Sequence, residues 1–210
     1  MGGGRHNLLP SQLGGRREDG RDIQEEWQRM SGKRTLLRTL DDFSDHVVDK
    51  DEHVMGIFYD KDYTSELMVE KENSQRNTPR LVNMTIKALD ALAKQSKTHG
   101  FFLMVEGAYI DKFSHRSQLH LALDEVSEMD LAIRAAVDHA PPDTLIVVTA
   151  DHAHALTIPG DLSKAQDVFG FSTSQQKLKD GSSINVSYPH LFFATGPGYR
   201  ERINYTTVEQ

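Results

Sequence analysis

Two short stretches of this chain hold residue types that can bind divalent cations. The first, VEGAYIDKFSH, carries Glu106, Asp111 and His115, and the second, TADHAH, carries Asp151, His152 and His154. Carboxylate oxygens and imidazole nitrogens, in a chain with zero cysteines, suit zinc or magnesium rather than soft, thiolate-seeking metals. Taken singly, each residue also has an ordinary use. Glu106 can be a solvated or ion-paired carboxylate at a strand end. Asp111 and His115 can form an i, i+4 helix pair worth a few tenths of a kcal/mol. Asp151 can cap a turn, and His152 and His154 can be polar loop residues. The metal reading therefore requires the two stretches to meet in space.

The neighbouring elements offer a way to bring them together. Phe101 to Val105 and Leu145 to Thr149 are unbroken apolar runs that read as buried strands ending at Glu106 and Asp151. Continuous apolar runs of this kind suit a parallel sheet covered on both faces. Between them Leu119, Leu123, Val126, Met129, Ile133 and Val137 recur at steps of three and four and so share one helix face. That helix should stop before Pro141-Pro142. A strand, helix and parallel strand in succession form a right-handed crossover whose strand ends lie on one sheet edge, where open α/β folds place ligands. The expected fold is α/β with a mainly parallel central sheet, and residues 78–154 are its strand–helix–strand core.

These residues closely resemble the alkaline phosphatases, metal-dependent phosphomonoesterases. The motifs V-E-G-x-x-I-D-x-x-x-H and T-A-D-H-x-H stand here as VEGAYIDKFSH and TADHAH. MGGGR, DGRDIQEEW, MGIFYDKD and ATGPGY follow the family's order, so the likeness covers most of the chain. The resemblance implies a partial three-layer sandwich. It makes Glu106 a magnesium ligand, Asp111 and His115 ligands of one zinc, and Asp151 and His152 ligands of a second zinc. His154 would orient a zinc-binding carboxylate, a supporting role known at many metal sites. Lys112 matches the lysine of some bacterial members. The substrates implied are phosphate monoesters, the assembly a homodimer, and the location extracellular or at the cell surface. Two cations about 4 Å apart can hold the attacking and leaving oxygens of an in-line displacement.

The resemblance also marks departures. The family's nucleophilic serine follows an aspartate, and no aspartate here precedes a serine. That serine, an arginine clamp and a bridging aspartate belong upstream of MGGGR, and a last histidine ligand belongs downstream. The chain is thus expected to match the central and later portion of the family. It would not turn over substrate alone. The alternative is a truncated, inactive product that keeps some metal binding or an interaction surface. Tyr59 stands where the vertebrate members' calcium site needs an acidic residue.

Bulk properties fit this reading. The length of 210 residues suits one domain with a sizeable core. A net charge of −7 argues against a nucleic-acid surface. Met1 is followed by Gly2, Gly3, Gly4 and Arg5 rather than by a signal peptide's apolar segment. The end, INYTTVEQ, lacks the hydrophobic tail of a lipid-anchor signal. Sequons at Asn83, Asn185 and Asn204 hint at secretion.

Along the chain, residues 1–22 read as a loop-rich entry and 23–44 as helical. Met55 to Tyr59 reads as a short strand, and Asp60 to Arg76 as a charged connection. Thr78 and Pro79 should start a helix on the face of Leu81, Met84, Ala88, Leu89 and Leu92, with Gly100 beyond its end. Residues 155–210 read as strand-rich, with strands over Val168 to Ser172 and Asn185 to Thr195. Turns fall at Pro159-Gly160 and Asp180-Gly181, and Gly196-Pro197-Gly198 closes the last strand.

Overall fold

The computed structural model describes residues 1–61, 77–96, 98–159 and 163–194. The chain forms two compact units, Met1–Gly107 with Asp124–Val148, and Ala108–Leu123 with Thr149–Gln210.

In the first unit, residues 23–44 depart from the expected single helix. Asp22 caps a short helix α1 (Ile23–Gln28) by accepting from the Glu25 amide. Gly32, at φ 88°, then redirects the chain into strand β1 (Lys33–Leu37). A positive φ of this size is cheap only for glycine, so the helix cannot run through it. Helix α2 (Leu40–Asp45) follows, started by a capping box between Thr39 and Asp42. Strand β2 (Glu52–Gly56) pairs in parallel with β1. Gly2 extends this edge, bridging Ile57. The core of the unit is Leu37, Phe43 and Phe58 with Leu40, Val54 and Met84 against it. Phe43 and Phe58 meet edge to face at 5.7 Å.

Helix α3 (Leu81–Gln95) begins later than expected, with Arg80 rather than Thr78 at its N-cap position. Thr78 and Pro79 are buried instead, so they pack rather than cap. Asn83 lies exposed on this helix, while Asn204, Gly196-Pro197-Gly198 and most of the charged 60–76 segment lie outside the described residues.

The two apolar runs also differ from expectation. Neither Phe101 to Val105 nor Leu145 to Thr149 is a strand, and neither has a ladder partner among the described residues. A buried parallel strand needs hydrogen-bonded neighbours and cover on both faces. Here Phe102 is 87% exposed and Leu145 85%. The sheets of the described residues are three two-stranded pairs, of which only β1–β2 is parallel.

The long helix stands where its periodicity puts it, as α5 (Leu119–His139), ending just ahead of Pro141. Its buried stripe is shifted, however. Ala122, Glu128, Ala132 and Ala135 are buried while Val126 and Val137 are exposed. Alanines permit close approach, and Glu128 can be buried because the Arg80 guanidinium grips it with two hydrogen bonds, one of 3.1 Å from Nε.

One turn earlier on the same helix, burial pushes the Glu125 carboxyl up to about 7, helped by the charges of Asp124 and Glu128. Between the ordinary 4.5 and about 7 the folded chain holds a proton there that the unfolded chain releases. Stability therefore falls as pH rises through that window. Glu125→Gln is expected to raise the thermal midpoint at pH 8 by about 2–4 °C, the shift of roughly 1 kcal/mol for a chain of this size. It should leave the midpoint at pH 4.5 nearly unchanged, as differential scanning calorimetry would show.

In the second unit, helix α4 (Ala108–His115) is closed by Ser117 in the left-handed region, φ 56°. Strand β3 (Leu156–Thr157) pairs antiparallel with β6 (Phe192–Phe193). Strands β4 (Phe171–Lys177) and β5 (Ser183–Pro189) form a hairpin. Its turn uses Asp180 and Gly181 as expected, with the Asp180 carboxylate accepting from the Ser182 amide at 2.9 Å. Among the described residues no helix is long and apolar enough to cross a membrane.

Candidate metal centre

Helix α4 presents Asp111 and His115 one turn apart, so both side chains leave from one face. Within the helix the buried Phe113 packs on Tyr109 at 5.0 Å, and the Ser114 hydroxyl donates to the Ile110 carbonyl. The second stretch, Asp151 to His154, is a bend that runs straight into β3. The β3–β6 pair and the Ala194 amide bonded to the Ala155 carbonyl at 2.8 Å fix where that bend ends. Phe193 of β6 stands edge-on to the His154 ring at 6.0 Å.

The two stretches meet on one oxygen. Asp111 Oδ1 lies 2.7 Å from His154 Nε2, 3.4 Å from His115 Nε2 and 3.5 Å from His152 Nε2. His152 Nε2 is also 3.4 Å from Asp151 Oδ2. Asp111, His152 and His154 each offer a ligand atom, all within 4.8 Å of one another. The His115 and His154 rings meet edge to face at 4.8 Å, and those of His152 and His154 at 5.3 Å. A carboxylate oxygen has too few lone pairs to take three imidazole N–H groups well. Imidazoles turned inward around a carboxylate are also the arrangement a cation would fill.

The electrostatics agree with that donor set. The hydrogen bond from His154 holds the Asp111 carboxyl below the usual carboxylate range against the opposing effect of burial, with the three imidazoles adding to it. Asp111 is therefore an ionised acceptor at neutral pH. His152 Nδ1 lies 3.4 Å from the Ala153 carbonyl, while its Nε2 faces the Asp111 and Asp151 carboxylates. Nitrogen and oxygen donors in this grouping fit zinc.

The structure thus brings together Asp111, His115, Asp151, His152 and His154. Glu106 is exposed and belongs to the first unit. Lys112 lies over the Tyr109 ring at 5.4 Å. His154 stands nearer to Asp111 than any other imidazole, a position its sequence motif alone could not rank. His190 is a satisfied interior histidine, Nδ1 bonded to the Asp167 carbonyl at 2.6 Å and Nε2 to the Ser172 hydroxyl at 2.9 Å.

A family model described as alkaline phosphatase matches residues 1–208. Alkaline phosphatase 4 of Drosophila melanogaster is 35% identical over 89% of this chain and 30% of its own length. The membrane-bound alkaline phosphatase of Bombyx mori is 32% identical over 97% of this chain and 37% of its own. The tissue-nonspecific isozyme of Homo sapiens is 32% identical over all of this chain and 41% of its own. The chain therefore spans about a third to two fifths of these relatives. Among solved structures, a mutant TAB5 alkaline phosphatase with magnesium bound in its M3 site aligns with a TM-score of 0.54 at 21% identity. That alignment covers 94% of this chain and 53% of that one. It shows a shared fold. A match along nearly the whole sequence, carried by relatives from insects to mammals, places the chain in the alkaline phosphatase family.

Proposed function

We propose that this chain supplies histidine and carboxylate ligands to the metal centre of a phosphomonoesterase. The observation that carries the reading is the convergence of His115, His152 and His154 on Asp111 Oδ1, with Asp151 alongside. Asp111 and His115 bind one zinc, Asp151 and His152 a second, and Glu106 a magnesium ion. Zinc bound there would act as a Lewis acid on a phosphoryl oxygen and lower the pKa of bound water. His154 donates from Nε2 to Asp111 Oδ1, which fixes the carboxylate and leaves Oδ2 for a cation. His115 and His152 bind as neutral imidazoles, so zinc affinity falls as the solution is acidified.

The reading extends to the rest of the assembly. In a longer chain that supplied sheet neighbours, the runs 101–105 and 145–149 would become strands of a mainly parallel, sandwiched sheet. The assembly is a homodimer at the cell surface, and its substrates are phosphate monoesters. One sequence feature favours a second reading, metal binding without turnover by this chain: no aspartate precedes a serine.

Zinc titration and hydrolysis of p-nitrophenyl phosphate at alkaline pH, with zinc and magnesium supplied, test the reading. Stoichiometric zinc binding that His152→Ala weakens is the expected result, with no turnover by this chain alone. Turnover that His152→Ala lowers by about 100-fold or more would contradict the expected inactivity and rule out the second reading. Neither turnover nor zinc binding would sink both.

A further inference from the structure

We propose that a cleft in the first unit, between the chain's first residues and the segment after β2, binds a phosphoryl anion. Its frame is made of backbone. The Gly4 amide bonds the Lys61 carbonyl at 2.6 Å, the Arg5 amide the Tyr59 carbonyl at 3.1 Å, and the His6 amide the Asp60 carbonyl at 2.9 Å. Gly4 makes this lacing possible by turning the chain at φ 87°. The cleft holds about 430 Å³, within the range of small-molecule sites.

Charge decides what such a cleft takes. Its lining carries three permanent cations, Arg5, Arg38 and Lys61, with His6 beside them, against the single carboxylate of Asp60. The chain as a whole is at −7, so this local excess runs against the global balance. Asp60 pairs with Arg5 and so aims its guanidinium. Arg5 Nε is nevertheless buried with no hydrogen-bond partner among the described residues. Arg38 and Lys61 are exposed, and the Asp42 carboxylate, bonded to the Arg38 amide at 2.8 Å, lies within electrostatic reach of the Arg38 guanidinium. A buried orphan donor beside two exposed cations calls for an acceptor-rich anion, and a phosphoryl group offers three oxygens. Calcium, which needs several carboxylate or carbonyl oxygens, is the opposite of what these charges select. The lining also includes Ile57, Phe58 and Tyr59, apolar and aromatic surface suited to an organic group on the phosphorus.

The inference is independent of the phosphatase reading, and the test keeps the two apart. The full chain is stripped of metal with chelator, which removes anion binding that depends on zinc. It is then titrated at low ionic strength with inorganic phosphate and with phenylphosphonate, which cannot be hydrolysed. Isothermal calorimetry should show one saturable site for phenylphosphonate. The surface substitutions Arg38→Gln and Lys61→Gln together should weaken it by about tenfold or more, while Asp111→Asn leaves it unchanged. Tighter phenylphosphonate than phosphate binding would identify an organic phosphate as the ligand, and equal binding free phosphate. Failure to saturate, full affinity in the double variant, or loss with Asp111→Asn would each overturn the proposal.

Discussion

Asp111→Asn is expected to reduce zinc affinity by at least about 100-fold while leaving the fold intact. Asparagine keeps the shape of the side chain but loses its charge, and it places an amide where three imidazole nitrogens converge. Even partners that only support a metal ligand cost 10–100-fold when removed, and Asp111 is placed as a ligand itself. His154→Ala should fall in that smaller range, about 10–100-fold, because His154 acts by holding Asp111. The order of the two variants, measured by calorimetric titration of zinc, separates ligand from supporter. An unchanged affinity in Asp111→Asn would remove the carboxylate from the centre.

The second large effect is on stability. Phe113 is 1% exposed and sits two residues after Asp111 on α4. Phe113→Ala should cost about 3–5 kcal/mol, the lost transfer energy plus the cavity left behind. It should also weaken zinc binding indirectly, by loosening the helix that sets the spacing of Asp111 and His115. Phe102→Ala is the matching control. That side chain is 87% exposed, so its truncation should cost less than about 0.5 kcal/mol. Urea unfolding of both variants checks the pair. A cost of several kcal/mol for Phe102→Ala would mean that residues 101–105 are a buried strand in solution after all.

These contrasts show where the sequence was readable. Helix α5 was, because apolar residues at helical spacing over about five turns, closed by Pro141-Pro142, leave no competing pattern. The buried stripe was not, because small alanines and the Arg80–Glu128 grip decide it, and neither stands out in hydrophobic periodicity. Residues 23–44 misled for a local reason. Ile23, Trp27 and Met30 have helical spacing, yet Gly32 breaks the pattern and Lys33–Leu37 pairs with a strand further on. The runs 101–105 and 145–149 have strand composition, but a strand is defined by its neighbours, which composition cannot supply.

The metal cluster was half legible. Asp111 and His115 are joined by helix geometry over a single turn. The approach of His152 and His154 depends on the β3–β6 pairing, whose strands lie more than thirty residues apart in sequence. The crossover expected from sequence also linked the two halves, but through strands at 101–105 and 145–149 that the structure does not form.

Zinc-edge X-ray absorption on the full chain loaded with one equivalent of zinc tests the central claim most directly. The account predicts a first shell of nitrogen and oxygen only, at about 2.0–2.1 Å, with the outer-ring scattering of at least one imidazole that is lost in His115→Ala/His152→Ala. Zinc held without imidazole scattering, or with a spectrum the double variant leaves unchanged, would contradict it.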